Sequence, residues 1–199
     1  MRPSTSRLTM RHLLDAAADQ RLVPAWTSDD QPWTAEEGLR LIDSIGRGWP
    51  IGTLIVYGPY PEEGLVLDGR HRLATIAAAL HAPLAGDPRP DCGDEMFWDL
   101  TDTTGQATRH SPTITGRPSS WWPVRTLTST LALLTHGRTL AADDQHLVEQ
   151  AQHLGGMVLE TRVPVLHLPT RMPADTVTTI ASRLAGRPVT IPARSHPGA

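Results

Sequence analysis

The sequence LVLDGRHRLATIAAAL, residues 65–80, places an apolar run, a tight turn and a helix-forming stretch in immediate succession. Three consecutive apolar residues, 65–67, are typical of a short buried strand, and Asp-Gly is a common turn pair. Residues 73–80 are rich in strong helix formers. We therefore predict that a strand ends at Asp68 and that a helix begins near Arg70. The side chains expected to pack this helix on a sheet are Leu73, Ile76, Ala77 and Leu80.

The residue types in this turn suit phosphate chemistry. The first N–H groups of a helix have no partner within the helix and, with the helix dipole, they attract anions. The planar guanidinium groups of Arg70 and Arg72 match phosphate oxygens, and His71 between them can transfer protons near neutral pH. Asp68 can hold Mg²⁺ beside a polyphosphate or orient His71. The same pattern is also typical of a solvated helix start capped by Asp, and the residues alone leave that alternative open.

Outside the turn, local signals predict an α/β (α+β) fold with a small mixed sheet and flanking helices. The clearest is Thr34 followed by Glu37, a capping box that opens a helix ending at Gly46 or Gly48. The predicted strands of the sheet are 52–57, 65–67, 95–101 and 163–168, and 189–191 is a possible last strand. Further helices are predicted over 9–20, 127–134, 141–154 and 175–184, and residues 102–120 as a loop or irregular hairpin.

Composition excludes several classes of protein. The 199 residues, 39% hydrophobic and 20% charged, predict a single domain over 1–199 with a helical and strand extension from about residue 125. The chain has no Lys, which excludes a Walker phosphate loop and Schiff-base catalysis. It also has no Asn, which excludes a Cys-His-Asn protease. Because Cys92 is its one cysteine, disulfide frameworks and zinc ribbons are excluded as well. A net charge of −3 disfavours a nucleic-acid coat or a basic membrane binder. Without an apolar segment long enough to span a membrane, we expect a cytoplasmic protein.

Two blocks carry a family resemblance. Residues 33–54, WTAEEGLRLIDSIGRGWPIGTL, and residues 67–75, LDGRHRLAT, resemble the ParB/sulfiredoxin-like superfamily. Within it they are most similar to the GmrS-type NTPase domain of modification-dependent restriction enzymes. That branch reads W, then L-x-x-S-I-x-x-G-x-P-I-G, a strand, and D-G-Q-Q-R or D-G-x-H-R before a helix. Both blocks match in order and spacing, and the resemblance is strongest over residues 23–80.

The resemblance implies a nucleoside polyphosphate bound with Mg²⁺, either ATP, GTP or another nucleotide. The catalytic positions would be Asp68, also the metal ligand, and His71. The nucleotide-binding positions would be Gly69, Arg70, Arg72, Thr75, Trp49 and Arg183. Trp49 is the candidate for stacking on the base, and Arg183 lies in an element that resembles F-x-R-L-N-x-x-G. Free-serine kinases in the same superfamily make transfer to a small acceptor a plausible alternative to hydrolysis.

The sequence departs from the family pattern at three places. The family's Gln-Arg pair falls on Asp29 and Asp30, the Asn of the late element is replaced near Ala185, and the sulfiredoxin cysteine falls on Arg70. These departures disfavour restriction and sulfiredoxin chemistry and favour a small nucleotide-dependent phosphohydrolase or phosphotransferase. Two alternatives remain: a DNA-binding or nuclease-associated module, and a non-catalytic regulator that senses a nucleotide. The net charge disfavours nucleic acid, and the loss of the Gln-Arg pair supports the regulator.

Overall fold

A computed structural model of the chain describes residues 2–26, 31, 33–80, 84, 95–101, 108–111, 118–186 and 188–189. The strands are β1 (Ser4–Thr9), β2 (Leu22–Pro24), β3 (Leu54–Tyr60), β4 (Glu63–Asp68), β5 (Glu95–Asp99), β6 (Thr108–Ser111), β7 (Trp121–Pro123) and β8 (Arg162–Pro169). The α-helices are α1 (Met10–Ala18), α2 (Ala35–Gly46), α3 (Arg70–Leu80), α4 (Thr130–Gly137), α5 (His146–Glu160) and α6 (Ala174–Ala185). Short 3₁₀ helices cover Val124–Thr128 and Ala142–Asp144. The mixed α/β architecture confirms the predicted fold class.

The larger sheet has five strands in the order β1-β8-β3-β4-β2. β3 runs parallel to β8 and antiparallel to β4, whereas β2 runs parallel to β4, with Pro24 opposite Val66. The pairing continues past the strand, because the Ala25 amide donates to the carbonyl of Val66 over 3.0 Å. The carboxyl ends of β2 and β4 therefore lie side by side at one edge of the sheet, where the Asp68 turn begins.

Helices cover both faces of this sheet. The alternation of side chains along β3 and β4 sends Leu54, Val56 and Val66 into a large core shared with α1, α2, α3 and α5. The residues between them face a smaller core formed with α6. The four α3 side chains that were predicted to pack inward are all buried. Among the described residues, no helix is both long and apolar enough to cross a membrane.

The prediction that β5 belongs to the same sheet is wrong. β5 lies at the centre of a separate three-stranded antiparallel sheet, β6-β5-β7. Its partners come from the polar segment after it and from the Trp121 strand, with Trp98 opposite Trp122. Both of these indoles are at most 1% exposed, so Trp122 is a core residue. The pairing of β5 depends on these aromatic contacts with distant residues. The sequence of residues 95–101 predicts a strand but does not indicate its partners.

The two helix starts with capping signals were predicted correctly, whereas several strands were missed. Thr34 caps α2 and Glu37 closes the capping box, as predicted, and Thr9 caps α1 by accepting from the His12 amide. Strands β1, β2 and β7 were not predicted; β2 is three residues long and ends in proline, so it lacks a local strand pattern. Residue 189, in the predicted last strand, is not in a strand, and residues 190–191 lie outside the described part.

The capping box gives a pH prediction. The pKa of Glu37 is lowered, first by the backbone N–H of Thr34 and then by its hydroxyl. A carboxylate whose pKa is lower in the folded state stabilises the fold above its ordinary pKa, and the stabilisation is lost as the pH falls through the folded value. Replacing Glu37 with Gln should therefore lower the free energy of unfolding at neutral pH, and the deficit should shrink below the ordinary value of 4.5.

Urea unfolding at several pH values tests this expectation. The control is Glu36→Gln, which removes one negative charge from the same helical turn, where Glu36 pairs with Arg40 rather than with the cap. A deficit for Glu37→Gln that stays constant as the pH is lowered through this window would contradict the stabilising role of the ionised cap.

Candidate active site

The predicted site residues begin at the turn between β4 and α3. Gly69 takes a φ of +82°, and the helical hydrogen bonds start with the Leu73 amide, which donates to the Gly69 carbonyl over 2.9 Å. The amides of residues 70–72 therefore precede the helical ladder at the amino end of α3, where the helix dipole is positive. This end lies at the sheet edge where β2 and β4 finish. The order of strand, turn and helix is the predicted one, and its use as an anion site stays a prediction.

The Arg72 guanidinium holds this turn against the loop before β3. Its Nη1 donates to the Ile51 carbonyl over 2.8 Å, and its Nη2 donates to the Thr53 carbonyl over 2.9 Å and to Asp68 Oδ2 over 3.1 Å. Burial lowers the pKa of Arg72, and the Asp68 carboxylate opposes that effect. The group remains a cation at neutral pH, because arginine does not lose its proton in proteins. Arg72 thus links the loop before β3 to the 68–72 turn, and this structural role does not depend on a bound phosphate.

Two glycines make room for the Arg72 side chain. Gly52 has a φ of +81°, and a Cβ there would overlap Arg72 Nη1. A Cβ on Gly69 would overlap Leu54 Cδ2 and lie 3.0 Å from Arg72 Nη2. At both positions the backbone is left-handed and a neighbouring atom lies close, so a larger residue would introduce both backbone strain and steric overlap. Gly52, in the matched P-I-G block, and Gly69, in the turn, therefore both lie against the Arg72 guanidinium.

Arg70 has a different environment from the one its predicted role requires. Its side chain is only 3% exposed, and its Nη1 donates to the Leu67 carbonyl over 2.8 Å beneath the turn. A ligand at the helix start would meet the backbone of Arg70 rather than its guanidinium. The buried charge still contributes positive potential to the turn.

The His71 ring lies between two tryptophans. The Trp26 ring centroid is 5.1 Å away at an interplanar angle of 55°, and the Trp33 ring is stacked at 6.2 Å and 16°. His71 is 9% exposed and lies close enough to Glu37 at the start of α2 to interact with it electrostatically. The indole Nε1 of Trp26 is buried with no acceptor within the described ranges. The ends of β2, α2 and α3 therefore build one aromatic enclosure around the imidazole.

Neither Trp26 nor Trp33 was predicted to have a functional role. Trp33 lies inside the first matched block, but only its proximity to His71 in space gives it a role. Trp26 follows β2, which was not predicted, so its position beside the β4 turn had no sequence signal. An aromatic residue two positions after an apolar triplet would have been informative only if the parallel pairing of β2 with β4 had been known.

The other predicted binding residues lie away from this enclosure. Thr75 is 1% exposed and faces α2, where its methyl lies near Gly38, so a ligand cannot reach it in this conformation. Trp49 is 54% exposed and is not a core residue; one face of its ring carries the Arg47 guanidinium at 4.6 Å. Arg183 is exposed on α6, across the sheet from α3. Asp29, Asp30 and Cys92 lie outside the described residues.

Asp68 is the residue of the turn that suits a metal. Its Oδ2 is held by Arg72, and its Oδ1 has no partner in the described part of the chain. The side chain is 28% exposed. The described residues contain no group of three or more potential metal ligands, so Asp68 fits Mg²⁺ only as one ligand beside phosphate oxygens. A cation at this position would therefore arrive with a polyphosphate.

Comparison with protein-family models and with curated proteins gives no match to this chain. Inference about its function therefore depends on the chemistry of the turn and its surroundings.

Replacing the two glycines tests how far the turn depends on Arg72. We expect Gly52→Ala and Gly69→Ala each to lower the free energy of unfolding by about 2–5 kcal/mol, from left-handed strain of ~1–2 and overlap of ~1–3. Gly48→Ala is the matched control, because Gly48 has a φ of +69° with nothing within 4 Å of a Cβ. It should lose only the strain component in the same chemical denaturation experiment. Equal losses in all three variants would contradict the Arg72 contacts.

Proposed function

We propose that this chain binds a nucleoside polyphosphate at the 68–72 turn and either hydrolyses it or transfers a phosphoryl group to a small acceptor. The proposal includes a place in the ParB/sulfiredoxin-like superfamily and a cytoplasmic location. The observation that carries it is the juxtaposition of a helix amino end, a carboxylate and an imidazole at one sheet edge. Asp68, His71 and the amides of 70–72 lie within five consecutive residues there.

Phosphate binding is supported mainly by the backbone. The amides at the start of α3 and the helix dipole favour an anion. The guanidinium groups of Arg70 and Arg72 lie just behind the turn and add positive charge. Trp49 offers its second ring face to a base, since Arg47 occupies only the first.

Asp68 and His71 supply the chemistry in this proposal. Asp68 keeps one carboxylate oxygen available while Arg72 fixes the other. A bound Mg²⁺ would neutralise charge on the phosphate oxygens. His71 accepts the proton of the attacking water or acceptor hydroxyl as that oxygen bonds to phosphorus and the nucleoside diphosphate leaves. The enclosure by Trp26 and Trp33 limits the directions in which the imidazole can receive that proton.

One observation favours a second candidate, a non-catalytic nucleotide sensor. The guanidinium of Arg70 donates to the Leu67 carbonyl, and that of Arg72 donates to the carbonyls of Ile51 and Thr53. Fewer donors then remain to neutralise the charge that develops during phosphoryl transfer. Such a turn can bind a nucleotide through its backbone without accelerating its hydrolysis.

A turnover assay distinguishes the two candidates. The purified chain is incubated with Mg²⁺ and a panel of nucleotides, with and without small hydroxyl acceptors, while phosphate release and nucleotide binding are both measured. The enzyme predicts release with at least one nucleotide, and the sensor predicts binding alone. Absence of binding to every nucleotide would overturn both.

Two substitutions locate the chemistry. His71→Ala should leave nucleotide affinity nearly unchanged and lower turnover by about 10²–10⁴-fold, the usual contribution of a general acid–base group. Asp68→Asn should weaken the dependence on Mg²⁺ more than nucleotide affinity, because the amide keeps the shape and loses the charge.

His146→Ala is the control, since His146 is exposed on α5 and bonds only locally, to the Asp143 carbonyl. Thermal unfolding of each variant identifies losses caused by destabilisation, which matters for Asp68 because it pairs with Arg72. Full turnover in folded His71→Ala and Asp68→Asn would show that neither residue is catalytic.

A further inference from the structure

A groove of about 480 Å³ lies between the end of α2, the end of β5 and the middle of α5. The lining residues that bear on its chemistry are Arg47, Trp98, Asp99, Leu100, Glu149 and Leu154. Its volume is within the range of small-molecule sites. None of the residues that form the 68–72 turn lines it.

The wall of the groove is aromatic and held in place. Trp98 is 1% exposed, and a Cβ on Gly46 would lie only 2.8 Å from its ring, so the indole packs directly on the α2 backbone. Leu100 and Leu154 add apolar surface beside it. A fixed indole between aliphatic side chains favours a flat or apolar molecular body.

The polar rim of the groove is acidic, because one of its three carboxylates pairs with an arginine and the other two pair with none that the structure describes. Arg47 is the one arginine among the lining residues, and it forms a 2.7 Å ion pair with the carboxylate of Asp43. Asp99 accepts from the amide and hydroxyl of Thr101, and Glu149 is exposed; neither has a cationic partner within the described ranges. Burial alone would raise the pKa of Asp99, but its hydrogen bonds lower it overall, so the group is charged at neutral pH. Two carboxylates thus line the groove: Asp99, whose charge is stabilised by hydrogen bonds from Thr101, Ser120 and Trp121, and the exposed Glu149; His153 lines it as well.

We propose that this groove is a binding site for a small organic cation, a flat or apolar body carrying an amidinium, guanidinium or ammonium group. The body lies against Leu100 and Leu154, over the nearly buried Trp98, and the cation lies between Asp99 and Glu149. A planar amidinium or guanidinium suits carboxylates best because it can form paired hydrogen bonds. The groove is distinct from the 68–72 turn, none of whose residues lines it, although Arg47 of the groove also lies on the ring of Trp49.

Benzamidine is the probe, and benzamide, its neutral analogue of the same shape, is the ligand control. Binding is followed by NMR at the Trp98 indole N–H and the Gly46 amide of the full chain. We expect benzamidine to shift both signals and benzamide to bind much more weakly. Glu149→Gln should weaken benzamidine binding about 1.5- to 5-fold, as expected for an exposed charge pair.

Glu160→Gln, on the same helix and outside the groove, should bind benzamidine as the unmodified chain does. Glu149 is exposed, so its replacement should leave the fold intact, and Asp99→Asn gives an independent second variant. Equal binding of benzamide and benzamidine, or unchanged affinity in both Glu149→Gln and Asp99→Asn, would overturn the proposal. So would the absence of any shift at Trp98 and Gly46 at saturating benzamidine. The turnover assay does not depend on these outcomes.

Discussion

The contact of one guanidinium with three oxygen atoms organises this end of the molecule. Arg72 bonds the carbonyls of Ile51 and Thr53 and the carboxylate of Asp68, and it thereby joins the entry to β3, the end of β4 and the start of α3. A charge that is largely buried must be paired and hydrogen-bonded, or the fold is destabilised. Gly52 leaves free the space that the guanidinium occupies, and Gly69 leaves space for both the guanidinium and Leu54.

The same contact determines which groups the turn can offer to a ligand. Since Arg72 faces the protein and Arg70 is buried beneath the turn, the proposed phosphate site would consist of the amides of the helix start, the second oxygen of Asp68 and His71. Helix α2 connects this site to the groove: the capping box lies near His71, and Asp43 and Arg47 line the groove at its other end. The loop after α2 then carries Trp49 and reaches the Ile51 carbonyl that Arg72 holds.

Sequence alone was sufficient where the signal is local. The Thr34–Glu37 capping box depends on four consecutive residues, and the strand–turn–helix junction on Asp68 and Gly69, so both were predicted correctly. The directions of the Arg70 and Arg72 side chains were not predictable, because they depend on carbonyls of the strand below and of a loop about 20 residues away. The Trp26–His71–Trp33 arrangement likewise requires the parallel pairing of β2 with β4. Catalytic roles for Asp68 and His71 remain predictions, since nothing in the fold alone tests them.

An amide NMR titration with a slowly hydrolysed nucleoside triphosphate analogue and Mg²⁺ tests the phosphate site most directly. If the backbone at the start of α3 binds the phosphates, the largest shifts will fall on the amides of residues 69–72. The side-chain N–H signals of Arg72 will move little, because its guanidinium stays bound to Ile51, Thr53 and Asp68. Unchanged amides at 69–72, with the shifts concentrated at Trp121 or elsewhere on the surface, would contradict the assignment of this turn as the phosphate site.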